Sequence, residues 1–152
     1  MLHKQNSLEL IFILLLMSSF QFTNGQGRYA SEQNTVLFEG YDPVAFFNGE
    51  TVKGKVSIPS LYQGRLIYFT SEDNRERFNK NKERFFPKYG GWCAIAMVDG
   101  IFVKPDYTLY KIQDGQLMFF RRKAYFNGLT QWNKDPVNNQ MKANLVYDKY
   151  FD

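Results

Sequence analysis

Aromatic rings constrain this sequence more than any other feature in it. Fifteen Phe, ten Tyr and two Trp make up 18% of its 152 residues. Rings in that number have to pack against one another, so the sequence calls for a rigid, ring-filled interior. Its length is enough to bury one such core in one domain without covalent staples. Hydrophobic residues at 44% and charged residues at 22% are the balance of a folded chain, not a disordered one. A single cysteine excludes an internal disulfide framework and a Cys-rich zinc knuckle. The net charge of +4 is too small and too scattered to argue for nucleic acid as a partner.

Residues 1–25 read as a secretory signal peptide. Lys4 supplies the positive start, Leu10 to Met17 is uninterrupted apolar, and Ser18 and Ser19 dilute it. Thr23 and Gly25 suit a signal peptidase, which leaves Gln26 as the new N-terminus. The apolar run is shorter than the roughly 20 residues of a spanning helix; the alternative is an uncleaved anchor. No other segment is apolar enough to span a membrane, so an exported protein, periplasmic or secreted and monomeric, is expected. The only histidine, His3, leaves with the signal. A mature chain without imidazole excludes Ser-His-Asp and Cys-His catalysis and histidine-ligated zinc.

The rest divides into a loose tail at 26–35 and one domain at 36–152. Val36 to Phe38 suggests a short strand. Asp42-Pro43 reads as a helix start, with Asp as cap and Pro in the first turn. Ser57 to Tyr62, Gln63-Gly64 and Arg65 to Thr70 read as a β-hairpin. Ser71 caps a helix with Glu72 and Asp73 in its first turn, and Asn81 restarts a shorter one that Pro87 ends. Trp92 to Val98 reads as a short buried helix. Strands follow at 101–103, 108–112 and 116–120, the last two joined across Asp114-Gly115, and then helices at 122–133 and 136–147. No internal repeat is visible in the letters. Strands and helices mix without regular alternation, which predicts an α+β fold: small antiparallel hairpins packed on several short helices.

Several segments in this order resemble the YHS domain family, in its exported single-domain form. Gly40-Tyr41-Asp42-Pro43-Val44-Ala45-Phe46-Phe47 is similar to its opening G-Y-D-P-V-A-Y-F. Tyr68-Phe69-Thr70-Ser71 with Asn74-Arg75 and Phe78 is similar to Y-x-F-x-S-x-x-N-R-x-x-F. Pro87-Lys88-Tyr89-Gly90-Gly91-Trp92-Cys93-Ala94 resembles P-x-Y-G-G-Y-C-A, and Ile112 to Leu117 resembles I-x-D-G-x-L. The resemblance implies heavy-metal binding, which short family members perform with two cysteines. Those cysteine positions fall here at Thr70 and Asn74, whose hydroxyl and amide cannot replace thiolates towards Cu(I) or zinc.

Three groups of residues are candidates for chemistry. Cys93, after two glycines and near a helix start, is a candidate soft-metal ligand or redox thiol, with Met97 one turn on as a partner for copper or another heavy metal. The plainer reading is a small buried residue among rings. Tyr41, Asp42, Tyr89 and Trp92 would line a ligand pocket if the two loops that carry them meet; otherwise Asp42 caps its helix and the rings are core. Arg121-Arg122-Lys123 with Phe119, Phe120, Tyr125 and Phe126 could hold an anionic surface, or form a solvated helix start. The sequence thus predicts a non-enzymatic binding protein for a small ligand or an envelope protein, with a soft metal at Cys93. The alternatives are an accessory domain without metal and a thiol-dependent enzyme that lacks a histidine base.

Overall fold

A computed structural model of the protein describes residues 27–32 and 35–151; the signal-like segment lies outside them. A left-handed turn at Leu37–Gly40 and a 3-10 turn at Ala45–Asn48 come first. A hairpin of β1 (Lys55–Tyr62) and β2 (Arg65–Phe69) leads to α1 (Glu72–Lys80) and α2 (Lys82–Phe85). A second left-handed turn, Lys88–Gly91, precedes α3 (Ala94–Met97) and the hairpin of β3 (Asp106–Gln113) and β4 (Gln116–Phe120). A minimal hairpin, β5 (Arg122–Lys123) with β6 (Phe126–Asn127), is followed by α4 (Gly128–Trp132) and α5 (Pro136–Phe151). Each sheet is two-stranded and antiparallel, so the fold is α+β, hairpins packed on short helices, as the sequence predicts.

Local chemistry explains most of the boundaries. Gln63-Gly64 and Asp114-Gly115 both hold left-handed φ values, 50° and 73° and then 52° and 72°, the two-residue turn whose twist matches its strands. The Ser71 hydroxyl accepts the Asn74 N–H at 3.2 Å and the Asn81 side-chain Oδ1 accepts that of Arg84 at 3.2 Å, fixing the starts of α1 and α2. Four expectations fail. Val36 makes only an isolated bridge to Leu66 before Leu37 and Phe38 enter a left-handed turn, and 101–103 form no strand. The helix expected at 122–133 is present only from Gly128. There the Gly128 N–H donates to the Arg121 carbonyl at 2.9 Å, tying off the β5–β6 hairpin, and Asn127 caps α4 by accepting the Thr130 N–H at 3.1 Å. The expected loose tail is docked where it is described. The Ala30 N–H donates to the Gly90 carbonyl at 3.0 Å, Trp92 Nε1–H donates to the Gly27 carbonyl at 3.0 Å, and Ala30 is buried.

The two hairpin halves repeat each other at a constant shift of 51 positions, Lys55 to Asp106 and Arg65 to Gln116. Tyr62 pairs with Arg65 and Pro59 with Tyr68 in the first; Gln113 pairs with Gln116 and Tyr110 with Phe119 in the second. Both registers slip at the same place, between Lys55 and Pro59 and between Asp106 and Tyr110. The flanking hydrogen bonds repeat too. The Asp42 N–H donates to the Val52 carbonyl as Cys93 does to Val103, at 3.0 and 3.1 Å. The left-handed run Phe38, Glu39, Gly40 recurs as Tyr89, Gly90, Gly91. Identical residues at this shift are Gly40/Gly91, Ala45/Ala96, Gly49/Gly100, Val52/Val103, Lys53/Lys104, Gly64/Gly115, Leu66/Leu117 and Phe69/Phe120. The absence of a repeat, read from the letters, is therefore corrected: the chain holds two copies of one unit, sharing mostly glycines and small or apolar positions. After Thr70 and Arg121 the copies part, the first into α1, the second into β5 and β6.

Two aromatic clusters form the interior, and the second hairpin divides them. Leu117 and Phe119 of β4 join Phe38, Phe46, Phe69 and Phe78 in the first cluster. Met118 and Phe120, on the opposite face, join Tyr89, Trp92, Met97 and Trp132 in the second. Phe119 meets Tyr107 edge-to-face at 5.0 Å and Phe46 at 5.2 Å, so the ring-filled core is realised.

Candidate functional site

Asp42 sits at the same point of the first unit as Cys93 does in the second, and each reaches back to the end of its own hairpin. Asp42 Oδ1 accepts the N–H groups of Val44 at 2.9 Å and Ala45 at 3.3 Å, so it ties down the start of the short 3-10 turn at Ala45–Asn48 that stands where the sequence predicts a helix. Its Oδ2 accepts three more donors, each at 2.8 Å: the Thr70 N–H, the Thr70 hydroxyl and the Asn74 amide. Asn74 also donates to the Thr70 hydroxyl at 3.1 Å. The carboxylate is wholly buried with every donor inside the first unit, so it closes a structural clasp between the turn, β2 and α1.

The second unit keeps the geometry and changes the atom. Cys93 Sγ accepts the Arg121 N–H at 3.2 Å, the counterpart of Thr70 N–H on Asp42. The thiol has no exposed surface. Burial pushes its pKa up, and the nearby N–H groups of Ala96, Arg121 and Ile95 offset this only in part. Although it stands just before α3, Cys93 is thus a neutral thiol. Met97, its expected partner, is buried in the second aromatic cluster. Among the described residues, no group of three or more His, Cys, Asp or Glu is placed to hold a metal ion.

Cys93 lies at the floor of a cleft of about 440 Å³. Its walls are Ile95, Ile101, Val103 and Phe126, and its charged groups are Arg121, Lys123 and Asp99. No family model, curated protein or solved structure matches this chain. The cleft therefore has to be read from its own chemistry.

The second predicted group does not assemble. Tyr41 packs on the first aromatic cluster beside the buried Asp42, whereas Tyr89 and Trp92 belong to the second. Tyr89 donates its hydroxyl to Asn144 on α5 at 2.9 Å, and burial raises its pKa well above the ordinary phenol value. Trp92 stands edge-on to Phe102 at 5.8 Å. These rings tie segments together and share no pocket floor with Asp42. The basic triplet resolves differently again. Arg122 pairs with Asp106 at 3.2 Å, while Arg121 and Lys123 line the Cys93 cleft. What the sequence did not reveal is that Cys93 stands beneath them.

Proposed function

We propose that this chain is an exported, non-enzymatic binding protein of the YHS type, whose ligand site is the cleft above Cys93. The observation that carries the reading is the cleft itself, apolar in its walls and charged on one side. The family reading is supported by the meeting of Thr70 and Asn74 at one carboxylate, since these are the positions at which short members carry their cysteines. Here that site is filled with the chain's own donors, which leaves Cys93 as the one thiol. A small organic ligand suits the cleft better than a soft metal. Arg121 and Lys123 would repel a cation, and Met97 is committed to the core. An enzymatic role for Cys93 would start from a buried neutral thiol, a poor nucleophile.

A panel of neutral, anionic and cationic small molecules, followed by amide chemical shifts, tests this reading. Hits should move Ile95, Ile101 and Phe126; hits that map elsewhere would contradict it. Titrating Cu(I) into the wild type and Cys93→Ser separates the metal reading, because a soft-metal site would lose its affinity in the variant. Export is checked by mass spectrometry of the processed protein, which should begin near Gln26.

A further inference from the structure

The two units offer an internal comparison of one site in two states. In the first, α1 brings Asn74 onto the Asp42 carboxylate, and Val44 and Ala45 are completely buried. In the second, the counterparts Ile95 and Ala96 are partly exposed and line the cleft. The counterpart of Asn74 is Tyr125, which projects fully into solvent at the β5–β6 turn. The chain has no α1 at this place, because residues after Arg121 fold back as the minimal hairpin. What the first unit closes over Val44 and Ala45, the second leaves open over Ile95 and Ala96.

The charges around the opening are also distinct. Among the described residues, no carboxylate pairs with Arg121 or Lys123, whereas Arg122 between them is paired to Asp106. Asp99 is exposed at the rim. The four apolar walls and the two unpaired cations lie on one cleft over an uncharged floor.

Resting on the reading of this cleft as the ligand site, we infer that it takes a small monocarboxylate with an apolar body. The carboxylate meets Arg121 and Lys123, and the body lies along Ile95, Ile101, Val103 and Phe126. A guanidinium on a low-dielectric wall favours a planar carboxylate over a neutral group of the same shape. The apolar body supplies the area that leaves water.

Octanoate and octanamide, equal in size and differing in charge, are the probes, titrated into the purified protein with amide shifts as the readout. Octanoate should shift Ile95, Ile101 and Phe126 and bind about five-fold or more tightly than octanamide. Arg121→Gln and Lys123→Gln should each weaken octanoate about two- to five-fold and leave octanamide unchanged. The wild-type comparison of the two probes decides the matter even if a variant folds poorly. Equal binding of both probes in the cleft overturns the carboxylate inference and leaves the cleft standing as a ligand site. Shifts confined to other surfaces, or none with either probe, overturn both.

Discussion

Asp42 and Cys93 answer the same backbone with different side chains, and their substitutions should differ in cost accordingly. Asp42→Ala removes the acceptor of five donors, leaving the Asn74 amide and the Thr70 N–H without their carboxylate partner in a closed interior. A loss of more than about 2 kcal/mol is expected in denaturant melts, against about 1 kcal/mol for Cys93→Ala, which gives up one weak N–H···S contact. Comparable losses in the two variants would mean that Asp42 is not a clasp. Maleimide should label Cys93 slowly in the native protein, at a rate that rises with denaturant, because the thiol is closed off and uncharged. Asp42 and Cys93 could be singled out in the sequence, through the Asp-Pro pair and the double glycine. Their partners were not. Thr70 and Asn74 lie 28 and 32 positions from Asp42, and nothing local in the letters announces a contact made across a fold.

Among the elements, the turns carry the sharpest expectations. Gly90 has φ +62°, and a Cβ on it would stand 1.9 Å from the Arg28 carbonyl oxygen. Gly90→Ala should therefore cost about 2 kcal/mol or more and release the docked segment at 27–32, read as faster proteolysis there. Gly115 also has a left-handed φ but open space around it, so Gly115→Ala should cost only about 1 kcal/mol, with no change in proteolysis. Equal effects would mean that the segment does not rest on Gly90. Hairpins and capped helices were legible because Gln63-Gly64, Asp114-Gly115, Ser71 and Asn81 carry their structure locally. The β5–β6 hairpin was not, since Lys123, Ala124 and Tyr125 contain no turn residue, and it is held by the pairing of Arg122 with Asn127 and Lys123 with Phe126 and by the Gly128 N–H on the Arg121 carbonyl.

Across the whole molecule, β4 gives alternate residues to both aromatic clusters, so the two units should unfold as one. Phe119→Ala, at the wall between Phe38, Phe46 and Tyr107, should cost about 3–5 kcal/mol and move the fluorescence and circular-dichroism transitions together. Transitions that separate would place the units in independent domains. Stability should also fall in alkali. Burial raises the pKa of Cys93, Tyr89 and Tyr107 above their ordinary values, so the folded chain keeps these protons when the unfolded chain has released them. That contribution is complete below about pH 8.5 and is lost as the pH climbs past the unfolded thiol and phenol values toward the folded ones. Urea melts at pH 7, 9 and 10.5 check it, and a flat profile would contradict it. The duplication escaped the sequence for a physical reason. Backbone geometry asks for glycine at Gly40 and Gly91 and for small or apolar residues at buried points, while Asp42/Cys93 and Thr70/Arg121 have diverged where the chemistry differs.

The duplicated hairpin turns the protein into its own control. Asp42 and Cys93, or Thr70 and Arg121, occupy matched backbone positions within one molecule, in one solvent and at one temperature. Exchanging the side chains of such a pair compares two chemistries while the scaffold, the strand register and the unfolded state of the rest of the chain stay constant.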